Sequence, residues 1–373
     1  MTPQRDEILQ FGTSRFLLAH VDYYVSRSLA EGHSHKRVVV TQTSSRPEGI
    51  AKARALAAHR RYPVHFRGVR DGETFDRQEM VDSLATCLIA QQEWPELERR
   101  FRDEITHVVS NAGDNGYRVT VDDSPRHEVP ASFPAKLAKL LYARYRAGAA
   151  GVILMPCELV SGNGQYLKTI VTKLSSQAYA DAGFTAWLDE ACLWIDTLVD
   201  RIVSSTLEPV GAVAEPYGLW AIQETPGLEL PCHHPDVQRV DDIFPYEKRK
   251  LHILNLSHTW LVQRTVDLGL SDEIRFVREA MDESRLRDDL ETLLEDEVLP
   301  TLDHAFPGMA LADYKATVLE RFTNPFLDHA LVDIAQNHVE KVRRRWLPVH
   351  EMARAQGQPT PRLTARLEAM AMA

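Results

Sequence analysis

Cysteine is scarce: four in 373 residues, at positions 87, 157, 192 and 232, far apart and with no CxxC pair. That pattern suits reduced thiols in a cytoplasm better than a disulfide framework. No apolar run is long enough to span a bilayer. The charged start Met1-Thr-Pro-Gln-Arg-Asp-Glu7 leads into no apolar signal core. A cytoplasmic protein with no membrane partner is therefore expected. No stretch has the His-Glu-x-x-His spacing of a zinc hydrolase, and Pro231-Cys-His-His-Pro235 reads as a loop. A full Gly-x-Gly-x-x-Gly fingerprint is also missing. A frame opened at Gly12 puts Ser14 and Leu17 where the second and third glycines belong. Basic residues are outnumbered 43 to 53, a net charge of -10, which argues against nucleic acid as the main partner. Local basic clusters still admit an anionic small molecule.

What is present is an ordinary globular composition, 44% apolar and 26% charged, in a chain long enough for two domains. Residues 7–11 form an apolar run ending at Gly12, and residues 15–29 have helical periodicity: strand, tight turn, helix. A buried strand is predicted over 37–42, then a helix from Arg46 with Ser44 and Ser45 as caps. Further strands are expected at 62–68, 105–110 and 151–155, and helices at 94–101, 133–147, 165–178 and 185–200. Residues 78–88 mix both signals, and 111–116 form a Gly/Asn/Asp turn cluster. Residues 218–222 and 237–240 read as late strands that finish the sheet or add a small one. This alternation implies βαβ units and a parallel sheet. Past Pro245 the pattern is helical, with breaks at Gly269, Pro300, Pro307-Gly308, Pro325 and Pro348. The expected fold class is α/β: a Rossmann-like parallel-sheet domain over 1–246 and a mainly α-helical domain over 247–373.

Gly12 after the first strand would let a cofactor pyrophosphate meet a helix N-terminus, or it makes a tight βα turn and nothing more. At the end of the second strand an NAD site usually has an acidic residue for the ribose. Here the stretch is Thr41-Gln-Thr-Ser-Ser-Arg46, with no carboxylate before Glu48. Hydroxyls of Thr43 and Ser44 with Arg46 suit a 2′-phosphate, so NAD and NADP both stay open.

The segment Tyr246-Glu-Lys-Arg-Lys-Leu-His-Ile-Leu-Asn-Leu-Ser-His258 holds Lys250, Asn255 and His258 at the spacing Lys-x4-Asn-x2-His. It reads as the start of a helix, on which the three side chains fan over roughly 140°. An ammonium, a carboxamide and an imidazole so placed can polarise a carbonyl and move a proton without a metal. A solvated lysine and a core histidine are the bland alternative.

These residues, with Leu9-Gln-Phe-Gly-Thr-Ser-Arg-Phe-Leu17, Val109-Ser-Asn-Ala-Gly113, Pro156-Cys-Glu-Leu159, Asn163-Gly164, Val199-Asp-Arg-Ile-Val203 and Arg321-Phe-Thr-Asn-Pro325, resemble the long-chain polyol and hexuronate dehydrogenases, the mannitol dehydrogenase family. The resemblance spans residues 8–348 and leans toward the tagaturonate reductase (altronate oxidoreductase) branch through Pro-Cys-Glu-Leu. It implies Lys250 as general acid/base, Asn255 as hydrogen-bond donor to the reacting oxygen, and His258 as the group orienting substrate hydroxyls. It implies no zinc. Glu247 matches a glutamate that connects the site to solvent in the mannitol branch. Gly12, Thr13, Ser14, Arg15, Phe16 and Asn111, with Thr43 and Ser44, are the implied cofactor contacts. Glu158, Asn163, Arg321 and Lys341 are the expected substrate contacts, the two cations for a carboxylate. Asn163 either touches substrate or holds its Gly-Asn-Gly turn. Arg343 is a further candidate, although residues 341–345 read mainly as a solvated basic face.

Two departures stand out. The mannitol branch has an asparagine after the Cys-acid pair as a second oxyanion donor, and here that position is Leu159. Family members are also generally longer at the C-terminus. The expected function is an NAD(P)-dependent oxidoreductase interconverting a sugar alcohol or aldonate with the matching ketose or keto-uronate. A mannitol-type polyol 2-dehydrogenase is the alternative within the class. From other classes come a metal-dependent hydrolase using Cys232, His233 and His234, and a nucleotide-binding sensor without turnover.

Overall fold

The computed structural model describes residues 7–113 and 116–372. Asp114 and Asn115 of the expected turn cluster, and the first six residues, lie outside the described residues. The chain divides into two compact units, one holding residues up to Phe66 and Arg77–Ile243, the other Arg67–Asp76 and everything from Phe244 on.

Thirteen strands are found among the described residues: β1 Glu7–Phe11, β2 Arg37–Gln42, β3 Tyr62–Arg70, β4 Glu73–Val81, β5 Leu84–Ile89, β6 Ile105–Ser110, β7 Ile153–Pro156, β8 Leu193–Trp194, β9 Thr197–Asp200, β10 Val203–Thr206, β11 Ala212–Ala214, β12 Leu219–Gln223 and β13 Val237–Val240. Six form one sheet in the order β5-β2-β1-β6-β7-β8, every pair parallel. Counted within the sheet this is the order 3-2-1-4-5-6 of a dinucleotide-binding fold. Burial explains its sequence: β1 is buried along its whole length and β2 from Val38 on, so both read as continuous runs rather than alternating ones. Leu9, Val39, Val108 and Leu154 pack with Leu137, Leu141 and Val171 of the flanking helices in one core.

Several expectations need correction. Residues 78–88 resolve into the end of β4 and β5, the latter paired with β2. The expected helix over 185–200 stops at Glu190 (Ala182–Glu190), and the rest forms β8 and β9. Glycine explains this: a Cβ on Gly151 would clash with the Ala191 carbonyl, and one on Gly164 with the Ile195 carbonyl. Only glycine lets the chain at 191–196 come that close, so helical periodicity there loses to backbone contact. The late strands β12 and β13 build a separate three-stranded sheet with β9. A four-stranded sheet, β10-β11-β3-β4, was not foreseen. Neither Ser44 nor Ser45 caps the next helix, which starts at Pro47 behind Arg46. Asp71 and Gly72, both with positive φ, turn β3 into β4, as a tight hairpin requires.

The second unit is helical. Trp260 and Trp346 are almost fully buried and meet edge to face at 5.2 Å. Pro348 opens the helix Leu347–Ala355 in its first turn, where a missing N–H costs nothing, and Pro300 lies inside an unbroken helical run, residues 284–305, just after a π turn at Leu294–Val298. The Arg67–Asp76 segment packs here: Asn324 Nδ2 donates to the Arg67 carbonyl, and the Arg67 guanidinium lies over the Phe326 ring. No helix among the described residues is long and apolar enough to cross a membrane.

Candidate active site

In the first unit the sheet reverses its winding between β1 and β6, where open α/β sheets bind ligands. Gly12 ends β1 with φ +109°, and a Cβ there would sit 3.3 Å from the Asn111 carbonyl oxygen at the end of β6. Asn111 donates through Nδ2 to the Cys157 carbonyl and accepts from Ser14 Oγ at 3.4 Å. Ser14 Oγ also caps the helix Arg15–Ala19 through the Leu17 amide. Arg15 is exposed, and Phe16 stacks on His20 at 4.7 Å. Thr13 and Ser44 are both tied to Gln42, and Gln91 Nε2 bonds the Thr43 carbonyl. Burial lowers the Lys52 pKa, with the Arg15 charge acting in the same direction. The structure thus gathers the expected cofactor residues around the C-terminal ends of β1, β2 and β6.

Glu158 and Asn163 follow β7. The Glu158 carboxylate accepts from Ser110 Oγ, the Ala112 amide and the Tyr117 hydroxyl at 2.9–3.0 Å. Burial raises its pKa against the pull of those donors. Asn163, 1% exposed, donates to the carbonyls of Pro156, Glu158 and Thr197 and accepts from the Thr197 amide. Its hydrogen-bonding capacity goes into holding its turn to β9. Cys157 is fully buried and its thiol is pushed well up by desolvation, which suits packing. Leu159 is 69% exposed and offers no donor.

In the second unit Lys250 does not start a helix. It lies inside a helical run: Phe244–Arg249 is α-helical, Lys250–Asn255 is a π turn, and Leu256–Asp267 is α-helical again. Bonding from i to i+5 adds about one residue per turn, so residues five apart return toward the same line. The π turn therefore narrows the Lys250–Asn255 angle that a regular helix opens wide. Glu247 sits half-buried one turn before Lys250. Arg249 points elsewhere: it donates to the Met309 carbonyl and lies over the Tyr314 ring at 4.5 Å.

His258 is 6% exposed, stacked on Phe322 at 4.3 Å and edge-on to His329 at 4.7 Å. Burial lowers the His329 pKa. The structure thus joins two distant sequence stretches, 250–258 and 321–329. Arg321, 4% exposed, precedes the Phe322 ring. Lys341 is committed to a backbone partner, with Nζ 2.7 Å from the Ile334 carbonyl. Arg343 and Arg344 are exposed as expected of a solvated face.

Arg345 was missed. Its Nη1 donates to the Asn255 carbonyl at 2.9 Å and to Thr259 Oγ1 at 2.7 Å. Its own carbonyl meets His252 Nδ1 at 3.0 Å. The signal was Val342 and Trp346, apolar at i and i+4, which mark the buried face that Arg345 adjoins. A separate cavity of about 510 Å³ between Val262, Thr265, Phe276 and Leu331 is apolar and holds none of these residues.

Residues 6–230 match the mannitol dehydrogenase Rossmann domain, and 242–372 match the mannitol dehydrogenase C-terminal domain. The altronate oxidoreductase of Yersinia pestis is 33% identical over 98% of this chain and 79% of its own length. That of Halalkalibacterium halodurans is 31% identical over 92% of this chain and 70% of its own. Among solved structures, a substrate-free D-sorbitol dehydrogenase superposes with a TM-score of 0.83 at 20% identity, covering 96% of this chain and 80% of that one. The Pseudomonas fluorescens mannitol 2-dehydrogenase, in a ternary complex with NAD and D-mannitol, gives 0.76 at 21%, covering 97% and 77%. Both domains and the relatives agree along the length of the chain, which belongs to the mannitol dehydrogenase family of oxidoreductases.

Proposed function

We propose that the protein is an NAD(P)-dependent oxidoreductase that interconverts an aldonate or sugar alcohol with the corresponding keto-uronate or ketose, with Lys250 as general acid/base. The observation that carries this reading is one π turn holding both Lys250 and Asn255, in a chain 33% identical to an altronate oxidoreductase.

The fit of a dinucleotide rests on the turn at Gly12. Its positive φ and its close approach to Asn111 keep side-chain atoms away from the switch point. Gly12, Thr13, Ser14, Arg15 and Phe16, with Thr43, Ser44 and Asn111, would hold the cofactor. The chemistry a bound nicotinamide would supply is hydride transfer to the carbonyl carbon, or from the alcohol carbon in the reverse direction.

The chain's own residues manage the oxygen. In reduction the Asn255 carboxamide N–H and the Lys250 ammonium stabilise the charge that grows there, and Lys250 delivers the proton. In oxidation the neutral Lys250 amine takes the alcohol proton. Glu247, one turn earlier, passes the proton on toward solvent. His258, clamped on Phe322, orients the neighbouring hydroxyls, and Arg321 beside that ring meets the carboxylate of an aldonate. Glu158 and Asn163 act through the turn after β7 that they hold.

The test is a screen of aldonates, hexitols and pentitols with NAD and NADP, read at the absorbance of the reduced nicotinamide. Turnover of an aldonate, abolished in Lys250→Ala, is the expected result. Full activity in Lys250→Ala would overturn the catalytic assignment, and turnover of hexitols alone would move the protein to the polyol side.

A further inference from the structure

A helix that changes from i+4 to i+5 bonding and back must leave carbonyls that the regular amide ladder does not serve. At the end of Lys250–Asn255 the carbonyls of Ile253 and Asn255 each accept from a side-chain hydroxyl. The Leu256 amide reaches back to the carbonyls of Leu251 and Ile253. Ser257 Oγ folds back onto the Ile253 carbonyl at 2.6 Å, and Thr259 Oγ1 onto the Asn255 carbonyl at 3.2 Å. The second of these carbonyls alone also receives a cation, Arg345.

Three contacts fix Arg345 across successive turns of this helix: the Asn255 carbonyl, the Thr259 hydroxyl and, through its own backbone, His252. It sits next to Trp346, which is fully buried against the helix that carries His258. Burial, reinforced by Arg344, brings the Arg345 guanidinium down to about 10, so it stays charged through the neutral range. Its bond to a carbonyl is charge-assisted and directional. Both bonds come from the one nitrogen Nη1, which the planar guanidinium holds in place; a lysine ammonium is a point donor on a flexible stem and would hold the same acceptors less firmly.

We propose that Arg345 is a positioning residue for the reaction: it fixes the backbone at Asn255, the end of the π turn, and so holds the Asn255 carboxamide in its working register. This rests on the reading of Lys250 and Asn255 as the groups that meet the reacting oxygen. Its consequence is specific. Arg345 touches a backbone carbonyl and the Thr259 hydroxyl, neither a proposed substrate contact, so its loss leaves those contacts in place and misaims the oxyanion donor. The penalty then falls on kcat more than on KM, because the donor matters most in the transition state. A displacement of about 1 Å at such a site costs on the order of 100-fold.

A mutant cycle tests this on the full-length enzyme. Arg345→Met, Asn255→Ala and the double variant are assayed for kcat and KM, beside Lys250→Ala and a thermal melt of each. The expected result is a kcat lower by about 10- to 100-fold in Arg345→Met, with KM within about threefold. The double variant is expected to be no slower than Asn255→Ala alone, because a residue acting through Asn255 has nothing left to position. Additive losses, or a kcat that falls only in step with the melting temperature, overturn the proposal. If Arg345→Met does not fold, Arg345→Lys replaces it: partial kcat with unchanged KM supports the proposal, and wild-type kcat defeats it. Should Lys250→Ala keep full activity, the site reading falls and the proposal with it. An inactive Lys250→Ala beside a fully active Arg345→Met sinks the proposal alone.

Discussion

The Thr13 hydroxyl donates to Gln42 Oε1 at 2.9 Å, tying the turn after β1 to the end of β2. Gln42 passes the contact on, through Nε2, to Ser44 Oγ at 2.8 Å. A carboxamide thus occupies the strand end where NAD-binding sheets usually place an acid, and it is buried and fully engaged. With no carboxylate from Thr41 to Pro47, nothing there repels a 2′-phosphate. NADPH and NADH are expected to bind within about tenfold of each other, a difference under about 1.4 kcal/mol. Gln42→Asp should weaken NADPH by at least about tenfold and spare NADH. Titration of reduced-nicotinamide fluorescence decides it; a wild-type preference for NADH above about 100-fold would contradict the argument.

Gly12 offers a second handle on the same end of the sheet. An alanine there must hold φ near +109° and place its Cβ 3.3 Å from the Asn111 carbonyl. Strain of this kind costs about 1–3 kcal/mol. Gly12→Ala should raise the cofactor Kd by about tenfold or more while the melting temperature drops only a few degrees. An unchanged Kd would show that the turn does not approach the dinucleotide.

Much of this was legible in the sequence, for physical reasons that differ by region. The buried strands β1, β2, β6 and β7 are short apolar runs between turn residues, which only a parallel sheet accommodates so regularly. The stretch at 193–200 was not legible because its apolar positions fit either period. What decides it is the space left by Gly151 and Gly164, far away in sequence. Lys250, Asn255 and His258 could be named from spacing, but the π turn could not, and the Arg345 that meets its last carbonyl comes 90 residues later. Arg345 hid inside a basic run whose other members, Arg343 and Arg344, are solvated.

Asp22 links burial to pH. It is fully buried, accepts from Tyr62 at 2.9 Å and from Gln10 at 3.5 Å, and desolvation pushes its pKa up to about 7. Its pKa in the unfolded chain is about 3.9. Between those values the unfolded chain has released the proton and the folded one still binds it, so stability falls as pH rises from about 4 to 7. Below that window the group costs nothing, and above it the cost is constant. A carboxamide at this position keeps an acceptor for Tyr62 and carries no charge. Asp22→Asn should therefore stabilise the protein at pH 8 by about 2–4 kcal/mol, with the gain fading toward pH 4. Urea unfolding at both pH values measures it; an equal ΔΔG at pH 4 and pH 8 would rule out this origin.

The His258 ring stacks on Phe322 at 4.3 Å and 24°, with His329 edge-on to it. Such a pair is worth about 0.5–1.5 kcal/mol beyond burial. Phe322→Leu keeps the site apolar and removes the flat platform, so His258 can turn away from the hydroxyls it is proposed to orient. The loss belongs to binding in both ground and transition states, so KM should rise by about two- to tenfold with kcat nearly unchanged. That is the opposite split from the one expected at Arg345, whose loss misaims the donor to the reacting oxygen and lowers kcat. Steady-state kinetics of the two variants side by side separates the roles. If Phe322→Leu lowers kcat and leaves KM alone, His258 is acting on the proton transfer and not on substrate orientation.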